Sequence, residues 1–253
     1  YFIMARVWGG VPLRIEPTEG YDPMTIQLPR STEAEIFAQI KSDLDQGTTL
    51  FPNYNWPTRR SKWSKAGAYA LKAEVYLWTA KRLAPDFTTA LAAVLEAEKA
   101  SNLSLLTNFA DIFKYTNKGN NEIMMALHFD VSETGNQVFT HNMYSTNSNF
   151  PAYVPQSQRD SVGVVLAGNG GVWRVTDLVR NQFTADDRRK AATYIDVRGA
   201  GATEYYTNFG LKYNGTVENG TRYFVSDIIL YRYADLVLMK AEAKNALGQD
   251  PAT

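Results

Sequence analysis

The sequence predicts a mainly α-helical protein in which TPR-like helical hairpins form a scaffold and carry a long, irregular, loop-rich insert. Capped apolar runs of helical period recur through the first hundred residues, and another such run spans Asp227–Leu247. Between them, residues 117–221 are rich in Asn, Gly, Ser, Thr and Tyr and hold only short periodic stretches. Because irregular inserts of this length are usually functional, we expect ligand contacts there.

The first helices are indicated by their end signals. Tyr1–Trp8 is the apolar second half of a helix that ends at Gly9. Thr32 and Glu35 form a capping-box sequence, and the apolar residues that follow at helical spacing predict a helix of about 14 residues that Gly47 ends. Both segments belong to the predicted scaffold.

A helical hairpin is predicted at the centre of the scaffold. Ser64 caps a helix over Lys65–Leu83, and Pro85-Asp86 opens a second helix that runs to about Ala100. A short connection makes the two helices antiparallel, which is typical of TPR-type pairs. Small residues allow the close approach: Ala70, Ala73, Ala92 and Ala93. A hairpin cannot bury its face alone, so Asp227–Leu247 and a helix after Pro251 are expected to stack beside it.

We expect one domain over residues 1–253, with the helical scaffold at 1–116 and 222–253 and the ligand-binding insert at 117–221. Both ends of the sequence interrupt a helix, which indicates an internal segment of a longer protein.

Composition excludes several classes of partner. The 26 Lys and Arg balance the 26 Asp and Glu, so no net field favours nucleic acid or an anionic lipid surface. No apolar run reaches the roughly 18 residues that a membrane-spanning helix requires. The absence of cysteine excludes disulfides and thiolate metal sites. Neither a cofactor nor a metal ion is predicted, because the acidic loop that begins at Asp130 has His141 where a calcium loop needs glutamate.

Catalysis is not predicted. The only histidines are His128 and His141, and the apolar neighbours of His128 place it in a strand or core. Glycoside hydrolysis needs two opposed carboxylates, yet close acidic pairs such as Asp186 and Asp187 are sequence neighbours that point apart. We therefore expect a binding protein and not an enzyme.

One stretch of the insert suits a sugar. Aromatic rings can stack on the apolar C–H face of a pyranose, while amide and guanidinium groups bond its rim of hydroxyls. The candidate platform and rim residues are Tyr144, Asn147, Asn149, Tyr153, Arg159 and Trp173. The competing interpretation is that the same side chains staple a long loop to the helices.

Several motifs resemble those of the SusD/RagB family, and they occur in the family's order. They are the Tyr1-Phe2 to Gly10-Val11-Pro12-Leu13 segment, the helix around Ile40-Lys41-Ser42-Asp43-Leu44, Ser64–Leu77, Asn121-Glu122-Ile123, Asp187-Arg188 and Ile229–Ala243. The last resembles the family's R-x-A-D-x-x-L-M-x-A-E-A helix and is the most specific. The motifs span nearly the whole chain, but they are scaffold motifs that identify no ligand.

The resemblance implies a nutrient-binding lipoprotein of the outer-membrane surface that is not an enzyme. Such proteins hold an oligosaccharide or another nutrient over a SusC-like TonB-dependent transporter. Their lipid anchor would lie outside this chain, which would touch the membrane only through it. Two alternatives stay open from the residues alone: a helical carbohydrate-active enzyme and a TPR-type scaffold that binds a peptide.

Overall fold

Two neighbouring helices, α4 (Lys65–Ala80) and α5 (Phe87–Ala97), pack closely at the centre of the helical part. The Ser64 hydroxyl accepts a hydrogen bond from the Gly67 N–H at 3.0 Å, and Asp86 Oδ1 accepts one from the Thr89 N–H at 3.2 Å. These caps satisfy backbone donors that a helix start otherwise leaves unpaired. The predicted hairpin is confirmed, although each helix ends three residues earlier than the sequence predicts.

The computed structural model describes residues 1–20, 22–133, 150–162, 173–200 and 204–252. Within these ranges the remaining helices are α1 (Phe2–Trp8), α2 (Pro23–Ile26), α3 (Glu33–Leu50), α6 (Gln156–Val162), α7 (Asp177–Arg180), α8 (Lys190–Thr193) and α9 (Tyr233–Ala246). Short 3₁₀ turns occur at Thr58–Arg60, Phe109–Ile112 and Tyr115–Asn117. The strands are β1 (Ile123–Leu127), β2 (Tyr194–Arg198), β3 (Tyr205–Gly210), β4 (Thr216–Glu218), β5 (Thr221–Tyr223) and β6 (Ile228–Arg232).

The chain forms two compact units. The helical unit comprises residues 1–57, 63–103 and 231–253, and the loop-rich unit comprises residues 58–62 and 104–230. The mainly α, TPR-like fold class is thus confirmed, with short two-stranded ladders added in the loop-rich unit: β1 with β6, β2 with β3 and β4 with β5. The predicted division at 116/117 and 221/222 stays a prediction. Within the loop-rich unit, Phe109 and Phe113 pack on the buried Ile112, Ile123 and Ala126.

The core of the helical unit joins α1, α3 and α4. Its buried members are Phe2, Ala5, Val11, Ile36, Phe37, Ile40 and Val75. The capping box of α3 is present, since the Thr32 N–H donates to Glu35 Oε2 at 2.8 Å and the Glu35 N–H donates to the Thr32 hydroxyl. Helix α9 packs on α5 and α4 through Leu236, Met239 and Ala243, as expected for a stacked neighbour.

Two predicted helix ends are wrong. Helix α3 continues through Gly47 to Leu50, because a glycine inside a helix costs only about 1 kcal/mol and the Thr48 hydroxyl donates to the Leu44 carbonyl at 2.8 Å. The helix ends instead at Phe51, where the following Pro52 favours extended backbone. The helix predicted from Asp227 begins only at Tyr233, since Ile228–Arg232 forms β6, which suits its β-branched and aromatic residues.

The small residues of the hairpin divide by burial. Ala70 and Ala73 are fully buried and Ala93 is 2% exposed, whereas Ala92, predicted to share this role, is exposed. We expect Ala93→Leu to lower the free energy of unfolding by about 1 to 3 kcal/mol, because the added carbons have no room between packed helices. Urea denaturation midpoints measure this change.

The matched control is Ala92→Leu one position earlier, which adds the same carbons on the exposed face of α5. It should change the free energy of unfolding by no more than about 0.5 kcal/mol. Equal losses in the two variants would contradict the assignment of Ala93 to the helix–helix contact.

Candidate functional site

The predicted site residues fall in two groups. Tyr144, Asn147 and Asn149 lie outside the described residues. Tyr153, Arg159 and Trp173 lie in the loop-rich unit. Their predicted roles in ligand binding stay a prediction.

The β2–β3 hairpin is the frame on which these residues are placed. Its strands are antiparallel, with Ile195 opposite Phe209 and Asp196 opposite Asn208. A bulge at Val197/Arg198 leaves Tyr206 without an opposite residue. Because side chains alternate along a strand, Asn208 and Phe209 point to opposite faces of the hairpin.

One face of the hairpin is apolar and closes a core. Phe150, Val154, Val197, Phe209 and Phe224 are buried together, with Ile195 and Tyr206 packed against them. The Phe150 ring contacts the Phe209 and Tyr206 rings, each at a centroid distance of 5.9 Å. This core holds the 150–155 loop in place, where Pro151 and Pro155 interrupt regular secondary structure.

Tyr153 extends from that loop toward solvent. Tyr153 is 45% exposed, and its ring meets the Tyr206 ring edge to face at a centroid distance of 6.1 Å. A Cβ on Gly199 would lie 3.3 Å from Tyr153 Cδ2, so glycine gives the ring its space. Partial burial raises the pKa of the Tyr153 hydroxyl, and the nearby Glu204 carboxylate adds to the rise. The ring is thus braced from one side and accessible from another.

Arg159 is engaged with its own loop. Its Nε donates to the Val154 carbonyl and its Nη2 to the Pro151 carbonyl, both at 3.0 Å, and its guanidinium lies 6.0 Å from the Phe150 ring centroid. Donors that satisfy loop carbonyls are not directed at a ligand. In the structure, Arg159 matches the stapling interpretation better than the rim role.

Trp173 begins a segment that is tied to the other face of the hairpin. The buried Asn208 accepts a hydrogen bond from the Val175 N–H at 2.8 Å and donates to the Val175 carbonyl at 2.9 Å. Trp173 is two residues from this anchor and is 45% exposed. Its segment and Tyr153 therefore attach to opposite faces of the hairpin.

Sequence reasoning missed the residues that position these rings. Besides Tyr206 and Asn208, they include Tyr205, whose ring lies 4.1 Å from the Arg180 guanidinium. Arg180 in turn pairs with Asp196 at 2.9 Å. The aromatic pair Tyr205-Tyr206 is visible in the sequence, and alternation along a strand puts the two rings on different faces, but no local pattern shows the bulge that changes the register beside them.

A second polar cluster surrounds a buried lysine. Lys118 Nζ lies 2.9 Å from Asp227 Oδ1, and both side chains are nearly buried. The ammonium also donates to the carbonyls of Phe129 and Val225, the latter at 2.6 Å. The three N–H groups of the ammonium thus meet one carboxylate and two carbonyl oxygens from separated parts of the chain.

His128 belongs to the same cluster and lies just after β1, as its apolar neighbours predict. Its Nδ1 is 3.0 Å from Asp227 Oδ1, and its Nε2 contacts the Arg59 guanidinium. A general base needs a ring nitrogen that faces the substrate. Since both nitrogens of His128 already have protein partners, its role here is structural.

The described fold is a TPR-like helical scaffold with a ring-bearing, loop-rich unit. The sequence profile of the SusD family matches residues 115–252, and a SusD-like profile described as starch-binding associating with outer membrane matches residues 1–77. The chain therefore belongs to the SusD family. This confirms the resemblance found in the sequence motifs.

Similar proteins extend this result. SusD-like protein P25 of Formosa agariphila is 25% identical over 98% of this chain and 50% of its own length. A SusD superfamily structure from Bacteroides vulgatus has a TM-score of 0.83 at 27% identity, covering 99% of this chain and 54% of the other. A structure solved with a xylogluco-oligosaccharide has a TM-score of 0.67 at 21% identity, covering 96% and 51%. The chain spans about half the length of these relatives.

We expect Lys118→Met to lower the free energy of unfolding by about 3 to 5 kcal/mol. The substitution leaves the Asp227 carboxylate buried without its cation, and a buried charge without a partner is strongly destabilising. Thermal and urea unfolding of the variant measure the loss.

Lys114→Met is the matched control, because Lys114 is largely exposed and pairs with Asp111 on the surface. Surface pairs of this kind contribute about 0 to 1 kcal/mol. A loss in Lys118→Met no larger than that of Lys114→Met would show that the cluster does not hold the loop-rich unit together.

Proposed function

We propose that this protein binds an oligosaccharide on the loop-rich unit, with Tyr153 as a stacking platform, and passes the ligand to a SusC-like TonB-dependent transporter at the outer-membrane surface. The observation that carries the binding site is the exposed Tyr153 ring, braced edge to face by Tyr206. Trp173 is proposed as a second contact.

A braced and exposed ring suits sugar binding for a physical reason. The ring offers apolar area to the C–H face of a pyranose, and its position is fixed before the ligand arrives. Little conformational entropy is then lost on binding. Tyr153 meets both conditions, since it is 45% exposed and the Tyr206 ring packs against its ring edge to face.

The ligand class follows from the family. A profile described as starch-binding matches the first 77 residues, and a protein of the same fold has been solved with a xylogluco-oligosaccharide. Both support a saccharide as the ligand. They do not select one glycan, and the loops that vary within a fold determine such specificity.

The location of the protein at the cell surface is proposed from the same family description, which names association with the outer membrane. Among the described residues, no helix combines the length and apolar character that crossing a bilayer demands. Attachment through a lipid anchor beyond this chain, and delivery to the transporter, are the parts of the proposal that cell experiments address.

We expect Tyr153→Ala and Trp173→Ala, made separately in the full-length protein, to weaken binding of a glycan selected on an array by about 5- to 150-fold. Removing a platform ring loses apolar contact worth roughly 1 to 3 kcal/mol. Calorimetric titration measures the affinity, and the melting temperature should change little.

Trp8→Ala provides the control, because Trp8 is a 61% exposed ring on the helical unit and should leave affinity unchanged. If Tyr153→Ala and Trp173→Ala lower the melting temperature but keep full affinity, the rings are loop staples and the proposed platform is refuted.

The same glycan should be bound without turnover. His128 has both ring nitrogens engaged, and Asp187 is held by Arg189, with Nη2 2.7 Å from Asp187 Oδ2. We expect chromatography to recover the glycan intact after long incubation with the protein. Product that appears with the wild type and persists through repeated purification would contradict the proposal.

A further inference from the structure

A cleft of about 420 Å³ lies beside β2, apart from the Tyr153 ring. It is lined by charged residues from the turn before α8 and by apolar and polar residues of α8 and β2. The lining consists of Ala185, Asp186, Asp187, Arg188, Lys190, Ala191, Tyr194, Ile195 and Asp196.

Two of the three carboxylates in the cleft already have cations. Asp187 is bonded by the Arg189 guanidinium, which holds the pKa of the Asp187 carboxyl down at about 2. Asp196 lies 2.9 Å from Arg180 Nη2 and 3.2 Å from Arg198 Nη2. Because Arg180 also pairs with Asp177 at 2.6 Å, these three guanidinium groups are balanced by three carboxylates.

The cations of the cleft have no such partners. Within the described ranges, the Arg188 guanidinium and the Lys190 ammonium make no hydrogen bond or ion pair with the protein. Asp186 is the remaining carboxylate, and a hydrogen bond from the Thr184 hydroxyl is the main reason that its pKa is lowered. Two cations against one carboxylate leave the cleft with an excess of one positive charge.

We propose that this cleft binds a sugar residue that bears a carboxylate, with Arg188 and Lys190 on the carboxylate and Asp186 on ring hydroxyls. The planar fork of arginine matches a carboxylate, and a carboxylate side chain accepts from hydroxyl groups. The apolar wall of Ala185, Ala191 and Ile195 suits the C–H face of the ring.

The mixture of charges favours a carboxylated sugar over a more highly charged anion. Asp186 would repel a phosphate dianion, whereas a single carboxylate matches the excess charge of the cleft. The proposal deepens the proposed function, since it adds an acidic-sugar subsite to a saccharide-binding protein. It does not depend on the role of Tyr153.

Saturation-transfer NMR and calorimetric titration with methyl glucuronide, and with methyl glucoside as the neutral match, test the subsite in the full-length protein. We expect binding of the glucuronide that weakens with added salt, and far weaker binding of the glucoside. Methyl glucoside 6-sulfate distinguishes carboxylate recognition from general anion binding. Equal affinity for the glucuronide and the glucoside, or for the glucuronide and the sulfate, would overturn the proposal.

Arg188→Gln and Lys190→Gln should each weaken glucuronide binding about 5- to 10-fold, as expected for loss of a charged hydrogen bond near solvent. Asp186→Asn should preserve or strengthen the carboxylate contact. Lys62→Gln removes another exposed cation from the loop-rich unit and should have no effect. Melting temperatures confirm that each variant folds, and unchanged affinity in both Arg188→Gln and Lys190→Gln would refute the subsite.

Tyr153→Ala separates this proposal from the proposed function. It should leave methyl glucuronide affinity unchanged while it weakens a neutral oligosaccharide. If Tyr153→Ala binds both ligands as tightly as the wild type, only the platform is refuted. If Tyr153→Ala loses glucuronide binding, the separate subsite is refuted.

Discussion

The shape of the loop-rich unit depends on the ion pair and hydrogen bonds that the buried Lys118 ammonium forms. A charge can be buried only when opposite charge and hydrogen-bond acceptors surround it, so Lys118 requires Asp227 and the carbonyls of Phe129 and Val225 at fixed positions. These acceptors come from segments about a hundred residues apart. The constraint fixes where the described segments around Lys118, Phe129 and Val225 meet, in a part of the chain with little regular secondary structure.

Backbone strain accompanies this cluster. Arg59 and Arg60 both have positive φ, at 55° and 53°, which is uncommon for residues with side chains. The buried Arg60 guanidinium donates to the Ile123 carbonyl at 2.5 Å, and burial lowers its pKa to about 10. At Gly119, with φ of 67°, a Cβ would lie 2.8 Å from Arg59 Cα. Glycine is therefore required where these two segments of the unit meet.

The helical unit could be predicted from the sequence because its signals are local. Thr32 with Glu35, Ser64 and Asp86 mark helix starts, and small residues mark the packed face of the hairpin. The errors occurred where tertiary structure overrides local preference. Gly47 stays helical inside a packed helix, and Ile228–Arg232 becomes a strand because β1 offers it a partner.

The candidate site could be predicted only in part. Residue type suggested Tyr153 and Trp173 as rings for a ligand, and both are 45% exposed. Arg159 has the same ligand-binding chemistry, but its donors are used by loop carbonyls. The opposite faces occupied by Tyr153 and the Trp173 segment follow from a bulge and from Asn208, which are long-range features that no local pattern indicates.

A crystal structure of the full-length protein with a neutral oligosaccharide from a glycan array tests the central claim most directly. The account predicts a pyranose ring stacked on the exposed face of Tyr153, with the backbone of residues 150–155 held as in the unliganded protein. An oligosaccharide that occupies only the helical unit, with the Tyr153 ring free of contact, would contradict it.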